Sequence, residues 1–331
     1  MSDPRDPTRP IRRDLQLPTL EPTLEARFGL MAEPLRFRTN DPLLLAAAQR
    51  AFGRFKVPET GDPLEVRLLV DSDGPPASFD PRRLNPRVQA HLHTITLDAR
   101  NQAVVDLERG VAVGTVTPEV ARDADFVRYA FVEAMGLSML GRARGYVAVH
   151  ASAVVHHGRA AILQGPAGAG KSTLAMACAR LGFGVLAEDV VFARRLGPDV
   201  ELWGAPWIQR LLPDAVDHFA ELAGVVPRLQ VNGEHKIEVD LELLRPGAAR
   251  PNAPAGAAIR LVRGSDGPTR LEALSPAEAA DSFEVLWPWG DGWSAGHEGV
   301  VRSLLADGAA RLHMNGSPEE AAEVLGRWLE R

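Results

Sequence analysis

Residues 165–172 read Gly165-Pro166-Ala167-Gly168-Ala169-Gly170-Lys171-Ser172 and fit the pattern G-x-x-x-x-G-K-[ST] without a mismatch. Each residue type answers to the chemistry of a phosphate. Glycines let successive backbone N–H groups curl around phosphate oxygens, and a helix that follows adds its positive N-terminal dipole. Lys171 is the residue to reach the β- and γ-phosphates, and the Ser172 hydroxyl is the one to ligate Mg²⁺. Thr173 completes the cradle. The chain has only three lysines, Lys56, Lys171 and Lys236, so a lysine at this place is not a matter of composition. Nucleotide binding is the expectation.

A phosphate loop does not name a reaction, since one fold serves many. Two nearby features narrow it. Glu188-Asp189 ends the strand that follows the loop helix, where adjacent acids can hold Mg²⁺ or accept a hydroxyl proton. His150 lies fifteen residues before Gly165, and a hairpin of two strands is expected to bring it back beside the loop. Lys236 stays lysine in a chain whose other basic residues are nearly all arginine. That suits a compact charge on a γ-phosphate, or a plain surface position.

The elements that must position these residues follow from periodicity. Tyr146 to Val155 reads as a strand, His156-His157-Gly158-Arg159 as a tight turn, and Ala160 to Gln164 as a buried apolar strand. A helix runs from the loop to Arg180, and Gly182 closes it. Gly184 to Ala187, Val190 to Arg194, Val200 to Trp203, Lys236 to Leu241 and Ala257 to Val262 are strand-like, with Pro213 to Ala223 helical and 246–256 a loop. Ser275-Pro276-Ala277-Glu278 and Ser317-Pro318-Glu319-Glu320 resemble capping boxes that start the last helices. Upstream, Asp41-Pro42 opens a helix to about Phe55, and a second runs from Thr117-Pro118 to about Arg142. Between them Leu64 to Val70, His91 to Leu97, Ala103 to Leu107 and Val111 to Val116 read as strands. The division expected is a disordered, proline-rich tail over 1–20, a β-rich α+β domain over 21–144, and a catalytic domain over 145–331.

With 331 residues, two domains are the natural size, and 45% hydrophobic residues rule out a wholly disordered or collagen-like chain. The net charge of -6 falls in the second half, where 17 basic residues face 23 acids. Phosphate backbones need clustered positive charge, so nucleic acid is not an expected partner. No stretch has the apolar length of a membrane span, the N-terminus has no apolar signal core, and one cysteine cannot make an internal disulfide. A cytoplasmic location is the expectation, with oligomeric state open.

The run from His150-Ala-Ser through Gly-Arg-Ala-Ala-Ile-Leu-Gln, the loop, and Leu-Gly-Phe-Gly-Val-Leu-Ala-Glu188-Asp189 resembles the catalytic domain of HPr kinase/phosphorylase. That family is related to ATP-dependent phosphoenolpyruvate carboxykinase. The resemblance covers about residues 145–241. It implies an α/β (α+β) fold in which a P-loop kinase domain of that type carries a smaller β-rich N-terminal domain. It also implies that Asp189 is the catalytic base, with His150 and Lys171 beside it. Metal is then held by Ser172, Glu188 and Glu201, the last in Glu201-Leu202-Trp203-Gly204. Thr173 stands where that family carries glutamate, Trp203 where it carries arginine, and Glu188 where it carries aspartate. The N-terminal region differs from that of the HPr enzymes. The chain is therefore read as a diverged HPr-kinase-like protein. The function implied is ATP- and Mg²⁺-dependent transfer of the γ-phosphate to a hydroxyl, on a serine of a peptide or protein. The alternatives are a kinase for a small hydroxylated metabolite and an ATP-binding interaction module without transfer.

Other residues read as structural. His91 and His93 share one strand face with no third metal ligand in view. His156 and His157 read as a solvated turn. Cys178 reads as a small core residue. Trp287, Trp289 and Trp293 form an aromatic loop whose default is core packing, the alternative being a docking surface for an acceptor peptide.

Overall fold

Alternating side chains build the first sheet. Glu33–Thr39 turns Leu35 and Phe37 to one face and Arg36 and Arg38 to the other, and Leu64–Val70 repeats this with Leu64, Val66 and Leu68 inward. The computed structural model describes residues 20–73, 78–230, 233–264, 267–283, 295–306 and 308–330. It joins seven strands: β1 (Leu24–Leu30), β2 (Glu33–Thr39), β3 (Leu64–Val70), β4 (Asn85–Gln89), β5 (Leu92–Thr96), β6 (Gln102–Asp106) and β7 (Val111–Val116). Their order is β1-β2-β3-β7-β6-β5-β4, with β2, β3 and β7 parallel and the outer pairs antiparallel. The helix Pro42–Phe52, capped by Asp41, connects β2 to β3 and buries Leu44, Ala47, Ala48 and Phe52. β1, β2 and β4 go beyond the strands expected from sequence.

The second helical stretch departs from expectation. It is not one helix to Arg142 but the pieces Pro118–Arg122 and Ala124–Val127, a π-helical turn Arg128–Glu133, and Ala134–Arg144. Asp123 causes the first break: its side chain accepts from the Phe126 N–H, a local bond that competes with helix continuation. Gly145, with a φ of 72°, ends the last piece.

The second sheet has nine strands: β8 (Val147–His150), β9 (Ser152–His156), β10 (Arg159–Gln164), β11 (Gly184–Ala187), β12 (Val190–Leu196), β13 (Asp199–Trp203), β17 (Asn252–Arg263), β18 (Arg270–Ala273) and β19 (Ala309–Met314). The three strands between them in sequence, β14 (Ile208–Leu211), β15 (Arg228–Leu229) and β16 (His235–Asp240), form a small separate sheet. Tyr146 to Val155 is not a single strand. The chain jogs at Ala151, so that β8 pairs with β12 while β9 pairs with β10 and β11. The β11–β12 segment breaks at the same level, at Glu188-Asp189, and the Ala151 N–H donates to the Asp189 carbonyl at 3.0 Å. The expected loop over 246–256 gives way to β17 from Asn252, whose backbone bonds with β13 extend the strand. Pro213 to Ala223 forms two short 3₁₀ turns, Pro213–Asp217 and Ala220–Leu222, which suffice to bury Ala215, Phe219 and Leu222.

The loop helix Lys171–Arg180 is buried almost all round, by small residues such as Ala175, Ala177 and Ala179, between the sheet and the helix Pro318–Leu329. Cys178 is part of this core, and burial pushes its thiol pKa well above the usual range. The seven-stranded sheet draws on residues before 145 and the nine-stranded sheet on residues after it. The apolar core crosses that line, because Tyr146 and Phe192 belong to the first cluster and Trp203 and Trp207 pack against it. Glu33, from β2, accepts from Arg144 at 2.9 Å and also pairs with Arg194. His156 is not solvated: its ring stacks on Phe183 at 4.1 Å, while His157 stays exposed beside it. His93 is buried, and burial pushes its pKa down to about 4. No helix among the described residues is long and apolar enough to cross a membrane. Trp287, Trp289 and Trp293 lie outside the described residues, as does the tail through residue 19.

Candidate functional site

The loop Gly165 to Gly170 joins β10 to the helix Lys171–Arg180, the strand–loop–helix context that a phosphate cradle needs. Gly168 and Gly170 hold φ values of 77° and 91°, which L side chains rarely adopt. A Cβ on Gly165 would stand 2.8 Å from that of Ala169, so the loop could not close as it does. Lys171 folds back across the loop and donates from Nζ to the Gly165 carbonyl at 2.9 Å. Burial holds its ammonium pKa below the ordinary value, against the pull of Asp189 and Glu188. Ser172 and Thr173 follow in the first helical turn.

The double jog sets the carboxylates against this turn. Glu188 is only 7% exposed, and the Ser172 hydroxyl donates to its Oε1 at 2.8 Å. Burial first, and then the charge of Asp189, pushes the Glu188 carboxyl up to about 7. Arg210, from β14, places Nη1 3.9 Å from Glu188 and Nε 3.3 Å from Glu238, so it spans the two acids. Asp189 is half exposed, and His150 Nδ1 lies 3.2 Å from its Oδ1. That contact comes from the β8–β12 register, in which His150 faces Val190, not from a hairpin that folds back. Lys236, on β16, lies 3.5 Å from Glu234 and is near enough to favour the charged form of Glu188.

Glu201 is not brought to this place. It sits on β13 opposite Arg194 and Pro254, whereas the loop begins after Gln164, which is level with Arg260. Six residues of β17 separate the two levels, roughly 20 Å of extended strand. Its carboxylate accepts from Trp203 Nε1 at 2.8 Å and Asn252 Nδ2 at 2.7 Å. The physical reason is the short β12–β13 hairpin, which folds Glu201 back to the far end of the sheet. Glu201 is therefore corrected from metal ligand to a strand-end hydrogen-bond acceptor.

Two clefts flank the loop and its carboxylates. One, about 410 Å³, is lined by Gly170, Thr173, His218, Arg263 and Asn315. The other, about 420 Å³, has Glu188, Asp189 and Lys236 on one side and Arg128 and Tyr129 of the π-helical turn on another. Sequence reading missed Arg210, Arg263 and Arg128. The sequence carried no signal for Arg210, because its strand neighbours Gln209 and Leu211 are buried by the fold and the run Ile-Gln-Arg-Leu-Leu has no period of two.

No family model matches the chain, and no curated protein matches it. Among solved structures, the HPr(Ser) kinase/phosphatase from Coxiella burnetii matches over 55% of this chain and 95% of its own, at 13% identity and a TM-score of 0.31. The likeness is a weak one.

Proposed function

We propose that this chain is an ATP- and Mg²⁺-dependent kinase that moves the γ-phosphate to a hydroxyl, on a serine of a peptide or protein. The observation that carries the reading is the pairing of the loop serine with a buried carboxylate, Ser172 to Glu188 at 2.8 Å, with Asp189 next in sequence and held by His150. A loop that only bound nucleotide would have no use for a second acid oriented by a histidine.

The donors fit a hard cation: one hydroxyl oxygen and one carboxylate, on Ser172 and Glu188, are the oxygen ligands that Mg²⁺ takes. When bound, Mg²⁺ neutralises charge on the phosphate oxygens. The chain's own residues do the rest. Loop N–H groups and Lys171 hold the phosphates, with the lysine exchanging its bond to the Gly165 carbonyl for a phosphate oxygen. Asp189 takes the proton of the acceptor hydroxyl as the new O–P bond forms. The bond from the γ-phosphorus to the bridging oxygen breaks, and ADP leaves with that oxygen. His150 orients the Asp189 carboxylate.

The test is transfer of label from γ-labelled ATP by the purified chain to a pool of serine peptides and hydroxylated metabolites. Mg²⁺-dependent labelling of a hydroxyl is expected. ATP binding without any transfer would leave the binding-module reading in its place.

A further inference from the structure

The cleft beyond Asp189 has a wall that the phosphate loop does not make. None of residues 165–173 lines it, while Asp189, Glu188 and Lys236 stand at one end and the π-helical turn Arg128–Glu133 at another. Single π-helical turns recur at functional sites because they re-aim side chains out of the helical ladder. Here the turn carries Arg128, whose side chain is only 9% exposed, and Tyr129, which is half exposed. Arg128 pairs through Nη1 with Glu133, yet its buried Nε has no hydrogen-bond partner. An unmet buried N–H on a charged group is costly, and a guanidinium that lines a cleft, as Arg128 lines this one, is a natural partner for a carboxylate. Of the acids that line the cleft, Glu188 and Asp189 belong to the proposed transfer site, Glu238 pairs with Arg210, and three more have partners of their own. Asp80 is bound by Arg82, Asp125 by Arg50 and Arg228, and Asp123 caps the Phe126 N–H.

The geometry points to this cleft as the acceptor site, and to an acceptor that carries a carboxylate beside its hydroxyl, with Arg128 taking the carboxylate and Asp189 facing the hydroxyl. The inference rests on the kinase reading above and adds the acceptor's chemistry to it. In-line transfer puts the acceptor across the γ-phosphate from the leaving group. This cleft holds Asp189 and none of residues 165–173, so an acceptor in it would meet the proposed base without competing with the phosphates for the loop. A volume of about 420 Å³ takes a small hydroxy acid or one to two residues of a peptide, not a folded surface. The turn at Asp80–Arg82 and the helical stretch Asp123–Tyr129 thereby select the acceptor. The carboxylate can belong to a peptide or to a free hydroxy acid, and the test separates the two.

The full chain, loaded with Mg²⁺ and a non-hydrolysable ATP analogue, is titrated with matched probes. These are serine peptides with glutamate or glutamine beside the serine, the same peptides with free or amidated C-termini, and glycerate against glycerol. Wild type is expected to bind the carboxylate member of at least one pair about tenfold or more tightly. The pair that shows it names the source. Arg128→Lys keeps the charge and removes the Nε donor, so it is expected to lose that preference while nucleotide affinity stays within about twofold. Arg128→Gln serves as a second variant, and thermal unfolding of each checks that it folds. Equal binding of both members of every pair, or binding of none, overturns the carboxylate assignment. A preference that survives in both variants overturns the role of Arg128. Carboxylate-selective binding with no transfer from ATP leaves this site standing and sinks the kinase reading instead.

Discussion

The two sides of the Glu188-Asp189 pair are built in different ways. On one side the loop, its lysine and its serine come from nine consecutive residues, 165–173, and their conformation is set by local glycines. On the other side the cleft is assembled from chain segments far apart in sequence, among them Arg128, Tyr129, Arg228 and Lys236. In the proposed function the first side meets phosphate, which is the same in every nucleotide. The second faces whatever receives it. A common ligand can be met by a local motif, whereas a particular acceptor is met by surfaces that only the tertiary fold brings together.

Variants on the loop side are expected to have the largest effects. Lys171→Ala should abolish detectable transfer. It should weaken ATP binding by about 10- to 100-fold, the worth of one charge-assisted hydrogen bond of about 1.5–3 kcal/mol. Titration of nucleotide against both proteins reads the second number. Unchanged affinity would remove the loop from the account.

Glu188 gives the next largest effect, and one with a pH signature. Its folded pKa, pushed up to about 7, lies above the ordinary value of 4.5, so the folded state holds this proton more tightly than the unfolded chain. Its contribution to stability is then fully present below about pH 4.5 and is lost as pH rises toward 7. Glu188→Gln removes the ionisation. Without Mg²⁺ it should therefore be more stable than wild type at pH 8, by an amount on the order of 2 kcal/mol, and show little of that gain at pH 4.5. Thermal or urea unfolding at the two pH values measures it. A gain that does not depend on pH would contradict the burial argument.

The smallest effect should come from Glu201. A metal ligand at that position would lose most activity on truncation. Placed at the far end of β13, Glu201→Ala should change transfer by less than about twofold and cost about 1 kcal/mol of stability through its lost bonds to Trp203 and Asn252. Parallel rate and unfolding measurements on this variant separate the two placements.

What was legible in the sequence divides along the same line. β3 and β7 match their alternating runs from end to end, because a half-buried strand writes its period of two into the chain. The loop, its helix and the acids at the end of β11 were legible for the same reason: each is specified within a few residues. The contact between His150 and Asp189 was anticipated as a proximity but by another route, since the jog at Ala151 exchanges strand partners without any local signal. The stretch from Pro118 to Arg144 kept an unbroken helical period in its apolar residues, and the break at Asp123 depends on a side-chain bond that periodicity ignores. The π-helical turn that buries Arg128 is a tertiary result. Glu201 shows the converse error, in which a residue matched to a motif is carried elsewhere by a short hairpin.

The central claim is that Asp189 receives a proton during transfer and does not merely help bind nucleotide. Asp189→Asn keeps the size of the side chain and most of its hydrogen bonding but removes its basicity. The measurement is ATP affinity with and without Mg²⁺, followed by single-turnover transfer, for this variant and wild type. The account predicts affinity within about twofold and transfer slower by about 10²- to 10⁴-fold, the usual contribution of a general base. A variant that transfers phosphate at the wild-type rate, or one that loses its Mg²⁺-dependent affinity and regains turnover with added Mg²⁺, would contradict it.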